Sequence, residues 1–208
     1  KILALWDIPD ESTADAYGMD NAMLAWTGAA RSLYEFLGGF VDIGGGPIDE
    51  WGEAELEPLH DYILSLQAPA PLNPPDADDV AAGRDLFQEA GCQDCHNGPS
   101  GSGLQVFSFA EIGTDDAMAL WGDADGDGVM CCGVDGELTG GIKAPRLRGL
   151  HSYSRFLHNG SLDSLEQLLC LSDRPSSLPT PWSNHGHTFG CELSVSDRNT
   201  LISFLRSI

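Results

Sequence analysis

Cys92-Gln93-Asp94-Cys95-His96 is the stretch around which the rest of the chain is read. Two cysteines spaced two apart and followed at once by histidine form the attachment sequence of a c-type heme. The spacing lets both thiols reach the two vinyl groups of one porphyrin, and the adjoining imidazole can then turn onto the iron as proximal ligand. Zinc would need a second ligand pair, and a dithiol redox motif belongs beside a βαβ pattern that this sequence lacks. Heme attachment is therefore the expectation for Cys92, Cys95 and His96.

Outward from the motif, the pattern is helical. A helix is expected from about Val80 to Ala90, carrying Leu86 and Phe87 and stopped by Gly91. A glycine- and aspartate-rich stretch runs from the motif to Gly141, followed by helical segments over Ser164–Leu171 and Ser196–Ile208. Upstream, Ala68 to Asp79 reads as a proline-rich, polar linker. Before it, Asn21–Leu37 is apolar at Met23, Leu24, Leu33, Phe36 and Leu37 and ends at Gly38-Gly39. Glu53–Gln67 places Leu56, Leu59, Ile63 and Leu66 on one stripe behind an acidic first turn. No alternating strand pattern is evident. The fold class expected is all-α: residues 1–67 a small helical module, 68–79 a linker, and 80–208 a c-type heme domain with long loops.

The two parts share a repeat. Trp26-Thr-Gly-Ala-Ala-Arg-Ser-Leu-Tyr-Glu-Phe-Leu37 aligns with His158-Asn-Gly-Ser-Leu-Asp-Ser-Leu-Glu-Gln-Leu-Leu169. Leu59-His-Asp-Tyr-Ile-Leu-Ser-Leu66 aligns with Leu201-Ile-Ser-Phe-Leu-Arg-Ser-Ile208, after an offset that grows by ten residues. Residues 1–67 thus match the back half of the heme domain, without the front half in which a second attachment motif would sit.

The 208 residues suffice for one good core, or one domain plus a smaller piece, and a hydrophobic content of 42% excludes wholesale disorder. No apolar run is long enough to span a bilayer. The chain begins at Lys1 without a signal peptide, whereas heme c is attached outside the cytoplasm. Removal of a signal or an internal cut is expected, with a periplasmic or extracellular location. Ten Lys and Arg face 32 Asp and Glu, a net charge of −22. That charge opposes nucleic acid and anionic membranes as partners and suits either solubility or a basic redox partner protein. Four of the ten basic residues, Lys143, Arg146, Arg148 and Arg155, lie within thirteen positions. They suggest a bound anion, heme propionates first, or pairing with surface carboxylates.

Cys131, Cys132, Cys170 and Cys191 remain after the heme motif. In an oxidising compartment they are expected to form disulfides, with bridges from the adjacent pair to Cys170 and Cys191 favoured. Asp123, Asp125 and Asp127 alternate ahead of Gly128 as in a Ca²⁺ loop, but Val134 occupies the place of the EF-hand glutamate. The readings are a shorter calcium turn or a solvated acidic loop.

Several of these segments together resemble a known family. They are Gly83-Arg-Asp-Leu-Phe87, Ile112-Gly-Thr-Asp115, Ala144-Pro-Arg-Leu-Arg-Gly149, Phe156-Leu-His-Asn-Gly-Ser-Leu-Asp-Ser-Leu165 and the closing Phe204-Leu205. In this order they are similar to the carboxy-terminal heme lobe of bacterial di-heme cytochrome c peroxidases, a superfamily that includes rubber oxygenases. Trp26-Thr-Gly-Ala-Ala30 resembles the tail of the amino-terminal lobe, where a tryptophan lies between the hemes. The resemblance implies a cytochrome c fold in each lobe, a first lobe lacking its heme, and Trp26 as an electron conduit or a packed core residue. His151, His158, His185, His187, Met118 and Met130 are candidates for the second iron ligand. The Gly186-His187-Thr-Phe-Gly190 segment resembles the Gly-His-x-x-Gly element of rubber oxygenases, which favours His187. By the same resemblance His158 is a neighbour of the heme and not a ligand. Histidine on both faces would close the iron and favour electron transfer. The alternatives are a peroxidase or oxygenase whose catalytic heme lies on another segment or upstream lobe, and a self-assembling extracellular cytochrome.

Overall fold

The computed structural model describes residues 4–9, 24, 26, 30, 32–101, 105–117, 141–178 and 183–208. Helix α1 spans Leu33–Ile43 and begins where Ser32 Oγ accepts the Glu35 N–H at 3.0 Å. It starts later than the apolar pattern suggested, because Leu24 N donates to the Ala30 carbonyl at 3.0 Å and commits those residues to a bridge. It also runs through Gly38-Gly39. Glycines cost about 1 kcal/mol each inside a helix; here Val41 packs on the core, and hydrogen bonds from Gly44, Gly45 and Gly46 close the end. Helix α2, Glu53–Leu64, opens with the Glu55 carboxylate accepting the Gly52 N–H at 3.0 Å. These helices and the 4–9 segment enclose a first core of Ile8, Leu24, Ala30, Leu33, Leu37, Leu56 and Ile63.

Helix α3, Ala77–Glu89, is capped by Asp76, whose Oδ1 accepts the Asp78 N–H at 2.9 Å. The cap draws Ala77, Asp78 and Asp79 into the first helical turn, so the extended linker is shorter than the 68–79 expected. At its far end Gly91, with φ of 72°, turns the chain into a 3-10 turn over Cys92–Asp94. Two three-residue strands follow, β1 (Val106–Ser108) and β2 (Gly141–Lys143), antiparallel with Phe107 opposite Ile142. Strands this short leave no alternation to read in sequence. Short helices α4 (Phe109–Ile112) and α5 (Leu165–Leu168) are capped by Ser108 and Ser164, and the long α6 (Val195–Ser207) by Ser194. Helix α6 crosses α3 at Gly83, where a Cβ would stand 2.4 Å from the Thr200 carbonyl oxygen. The second core gathers Leu147, Leu150, Phe156, Leu162, Leu165, Leu169, Leu201, Ile202, Phe204 and Leu205. The described chain is mostly helical, and none of its helices is long and apolar enough to cross a membrane.

Matched positions of the repeat play matched structural parts. The Leu24–Ala30 bridge answers the Phe156–Leu162 bridge, and Ser32 and Ser164 cap equivalent helices. The Leu66 carbonyl accepts Asp7 N at 2.9 Å as the Ile208 carbonyl accepts Gly149 N at 3.1 Å, and both donors have positive φ. This pairing extends the repeat: the 4–9 segment in the first module corresponds to 146–151 in the second. One face breaks the correspondence. Leu201 and Phe204 are 1% and 8% exposed beside α3, whereas their counterparts Leu59 and Tyr62 are 46% and 62% exposed. Among the described residues nothing takes the place of α3 over the first module.

The 4–9 segment also ties the modules together. Trp6 Nε1 donates to the Arg148 carbonyl at 2.9 Å, Ser100 Oγ to the Asp7 carbonyl at 2.9 Å, and Ala4 N to the Tyr153 hydroxyl at 3.1 Å.

Candidate functional site

The end of α3, the Cys92–His96 turn, the small sheet, the 144–158 segment, the loop ahead of α6 and α6 itself surround a cavity of about 410 Å³. Its walls are chiefly apolar, and Cys92, Cys95, His96, Lys143, Arg146, His158 and His187 all reach it. Residues far apart in sequence meet here because α3 delivers the cysteine turn to one side while α6 anchors the loop carrying His187.

The turn is built locally. Asp94 N donates to the Gly91 carbonyl and His96 N to the Cys92 carbonyl, each at 3.0 Å. Cys92 and Cys95 carry free, half-buried thiols. Burial raises both pKa values; neighbouring carboxylates add to this, Glu192 and Asp94 at Cys92, and Asp94 and Glu111 at Cys95. Both thiols are thus protonated at neutral pH. Among the described residues no group of three or more His, Cys, Asp or Glu side chains is placed to hold a metal ion.

His96 Nδ1 lies 2.9 Å from the Gly101 carbonyl oxygen, so Nε2 is the nitrogen left for a metal. Burial first, and then the facing His187, lower its pKa to about 4; burial likewise lowers that of His187. Both rings are neutral at pH 7, the form that ligates. Their centroids stand 6.4 Å apart across the cavity. Two neutral imidazoles 6.4 Å apart and two free thiols lining one apolar cavity are residues that would suit a covalently attached heme.

Two cations line the cavity. Lys143 is 3% exposed and donates to the Ala144 carbonyl at 3.2 Å; burial, and then Arg146, lower its pKa to about 7. Arg146 is 6% exposed and donates through Nη2 to the Ala4 carbonyl at 2.8 Å, while its buried Nε has no partner among the described residues. An unpaired buried guanidinium N–H in a chain of net charge −22 fits an anionic ligand such as a heme carboxylate. The other two members of the basic cluster lie elsewhere. Arg148 is exposed and off the cavity wall, and Arg155 is exposed and paired with Asp163.

His158 is buried at the cavity, its Nε2 3.6 Å from Asp115 Oδ1, with Trp26 edge-on at 6.4 Å between ring centroids. Burial lowers the His158 pKa against the opposing charge of Asp115. At Asp115 burial pushes upward, but the Ser183 N–H and hydroxyl, the Ala117 N–H and His158 outweigh it, and the carboxyl sits below its usual 3.8. Asp115 thus joins two segments 68 residues apart through Ser183. A depressed carboxyl contributes stability that is complete above the unfolded pKa and is lost as pH falls through the folded one. Asp115→Asn should be less stable than the parent at pH 7, and the gap should close as pH is lowered below about 3.8. Thermal melts across that range check this, and a gap independent of pH would contradict it.

His185 is exposed and off the cavity wall, and His151 does not line it either. His60 stacks on Tyr34 at 4.0 Å in the first module. The disulfide expectation is corrected: Cys170 bonds Cys191, because the chain between them turns back onto the end of α5. Cys131 and Cys132, the proposed calcium ligands Asp123, Asp125 and Asp127, and Met118 and Met130 lie outside the described residues. Sequence reasoning passed over Arg174, although one of ten basic residues in so acidic a chain invites inspection.

No family model matches the chain, and no curated protein matches it. Among solved structures it is similar to hydrazine synthase of Kuenenia stuttgartiensis, at 18% identity and a TM-score of 0.46. The match covers 85% of this chain and 62% of that one, so the chain spans less than two thirds of its length.

Proposed function

We propose that the protein is a c-type cytochrome with one covalent heme, held by Cys92, Cys95, His96 and His187, that transfers electrons outside the cytoplasm. The observation that supports this best is the 6.4 Å between the His96 and His187 rings, across a cavity that two free cysteines share. When bound, the heme supplies one-electron redox chemistry. The protein's residues do the rest. His96 is oriented by the Gly101 carbonyl, the apolar walls exclude water, and Lys143 and Arg146 offset carboxylate charge. Ligation by both His96 and His187 would leave no open position for peroxide or oxygen, which favours electron transfer over catalysis. The −22 charge suits a basic redox partner.

The pyridine hemochrome of the purified chain should show one covalent heme c, and the ferric protein a low-spin spectrum. A high-spin ferric spectrum, or one that changes promptly on adding peroxide, would overturn the two-histidine reading.

A second reading is a di-heme peroxidase or oxygenase with its other heme on a segment outside these residues. Trp26 supports it, because it belongs to the first module yet lines the cavity, as does the uncovered Leu59–Tyr62 face. Peroxide turnover by this chain supplied with reductant but no other heme protein would count against the need for a second site.

A further inference from the structure

His187 has an unusual problem of support. His96 is fixed by a hydrogen bond from its own ring, but the His187 ring makes none among the described residues, and its Nδ1 is buried unpaired. Its ring neighbours are Phe189, at 5.5 Å, and His96. The position of the imidazole therefore depends on the backbone beneath it.

That backbone is strained. Gly186 and His187 have φ of 84° and 47°, and for the histidine the left-handed region costs about 1–2 kcal/mol. Gly186 is pressed against α4, where a Cβ would meet Thr114 N at 2.8 Å and the Ile112 carbonyl oxygen at 2.9 Å. His187 N donates to that Ile112 carbonyl at 2.9 Å. These contacts hold the loop from one side.

From the other side it is held by Arg174. Its Nη1 donates to the carbonyls of Asn184 at 2.7 Å and Gly186 at 2.9 Å, and its Nη2 to that of His187 at 3.2 Å. The remaining donors go to α5: Nη2 to Leu168 at 3.0 Å and Nε to Gln167 at 3.2 Å. A guanidinium carries five N–H donors, and here each has its own carbonyl. Among the described residues no carboxylate pairs with Arg174. Its planar fork thus rivets the loop to the helix end, which a single-headed ammonium cannot reproduce.

We infer that Arg174 is a positioning residue for the second iron ligand, locking the Gly186–His187 backbone so that the imidazole stays seated across from His96. The inference rests on the proposed His96/His187 ligation. Loosening the fork should leave both thioether cysteines and His96 untouched while letting His187 swing off.

The test compares Arg174→Ala and Arg174→Lys with His187→Ala and with Ser32→Ala, which removes the cap of α1 in the first module and touches neither the loop nor α5. Each heme-loaded protein is read by its ferric spin state and by the rate at which carbon monoxide binds the ferrous form. Both Arg174 variants should show a high-spin fraction and about ten- to hundred-fold faster carbon monoxide binding. Ser32→Ala should keep parental values, because lost stability alone does not release a ligand. If Arg174→Ala does not accumulate, Arg174→Lys, which keeps charge and most of the stem, carries the comparison. Parental spin state and rate in the Arg174 variants, alongside a high-spin His187→Ala, would overturn the inference and leave the ligation standing. An unchanged His187→Ala would overturn the ligation itself, and the inference with it.

Discussion

Replacing both Cys92 and Cys95 with alanine is expected to abolish covalent heme attachment, and the variant stripped of heme is expected not to melt cooperatively. The reason is volume. A cavity of about 410 Å³ with chiefly apolar walls, left without its occupant, exposes those walls to water and forfeits the packing against them. Its walls come from the second core, with Leu147, Leu150, Phe156 and Leu201 lining it directly. Arg146, whose Nε has no partner among the described residues, would stay buried beside it, adding desolvation cost. Acidified butanone should extract heme from the double variant and not from the parent. Near-ultraviolet circular dichroism and a thermal scan of the extracted chain then check for fixed packing. A sharp, parent-like melt would show that the cavity tolerates being open and that heme is not integral to the fold.

The second large effect pairs one substitution with opposite signs. Gly83→Ala should destabilise by about 2–3 kcal/mol, because its Cβ would meet the Thr200 carbonyl oxygen at 2.4 Å and Phe204 Cβ at 2.7 Å. Neither α3 nor α6 can yield without moving the cavity, since α3 leads directly into Cys92 and α6 supplies Leu201 and Leu205. The melting temperature should fall by about 5–10 °C, with a shift in the heme spectrum. Gly39→Ala, in the interior of α1 with nothing within 4 Å of the new methyl, should instead stabilise by about 1 kcal/mol. Equal effects at the two sites would mean that α3 and α6 do not meet at Gly83 in solution.

What could be read from sequence was what the chain settles within a few bonds. The cysteine turn closes on itself through Cys92, Asp94 and His96, so its chemistry is written in five consecutive residues. Ser164 marks a helix start because its hydroxyl meets an N–H three residues on, whereas the starts expected at Asn21 and Ser196 lie instead behind Ser32 and Ser194, which cap in the same way. The Leu24–Ala30 and Phe156–Leu162 bridges explain why the repeat was visible, since the same local bend needs the same residue pattern twice. Helix ends were less legible. The reading stopped α1 at Gly38-Gly39, whereas tertiary packing of Val41 carried it on to Ile43.

By itself, then, the sequence determined the Cys92–His96 turn, the helical class and the duplication, all of which depend on neighbours along the chain. Only the tertiary structure decided the rest. It carried His187, which the Gly-His-x-x-Gly resemblance already favoured, to the cavity wall and left His185 exposed, because Gly186 presses on α4 and Arg174 grips the Asn184, Gly186 and His187 carbonyls. It put Lys143 and Arg146 in the cavity wall and left Arg148 and Arg155 outside, and it joined Cys170 to Cys191. Each of these is a choice between residues of the same type in the same stretch. Local chemistry does not separate them; the path of the backbone through the packed core does.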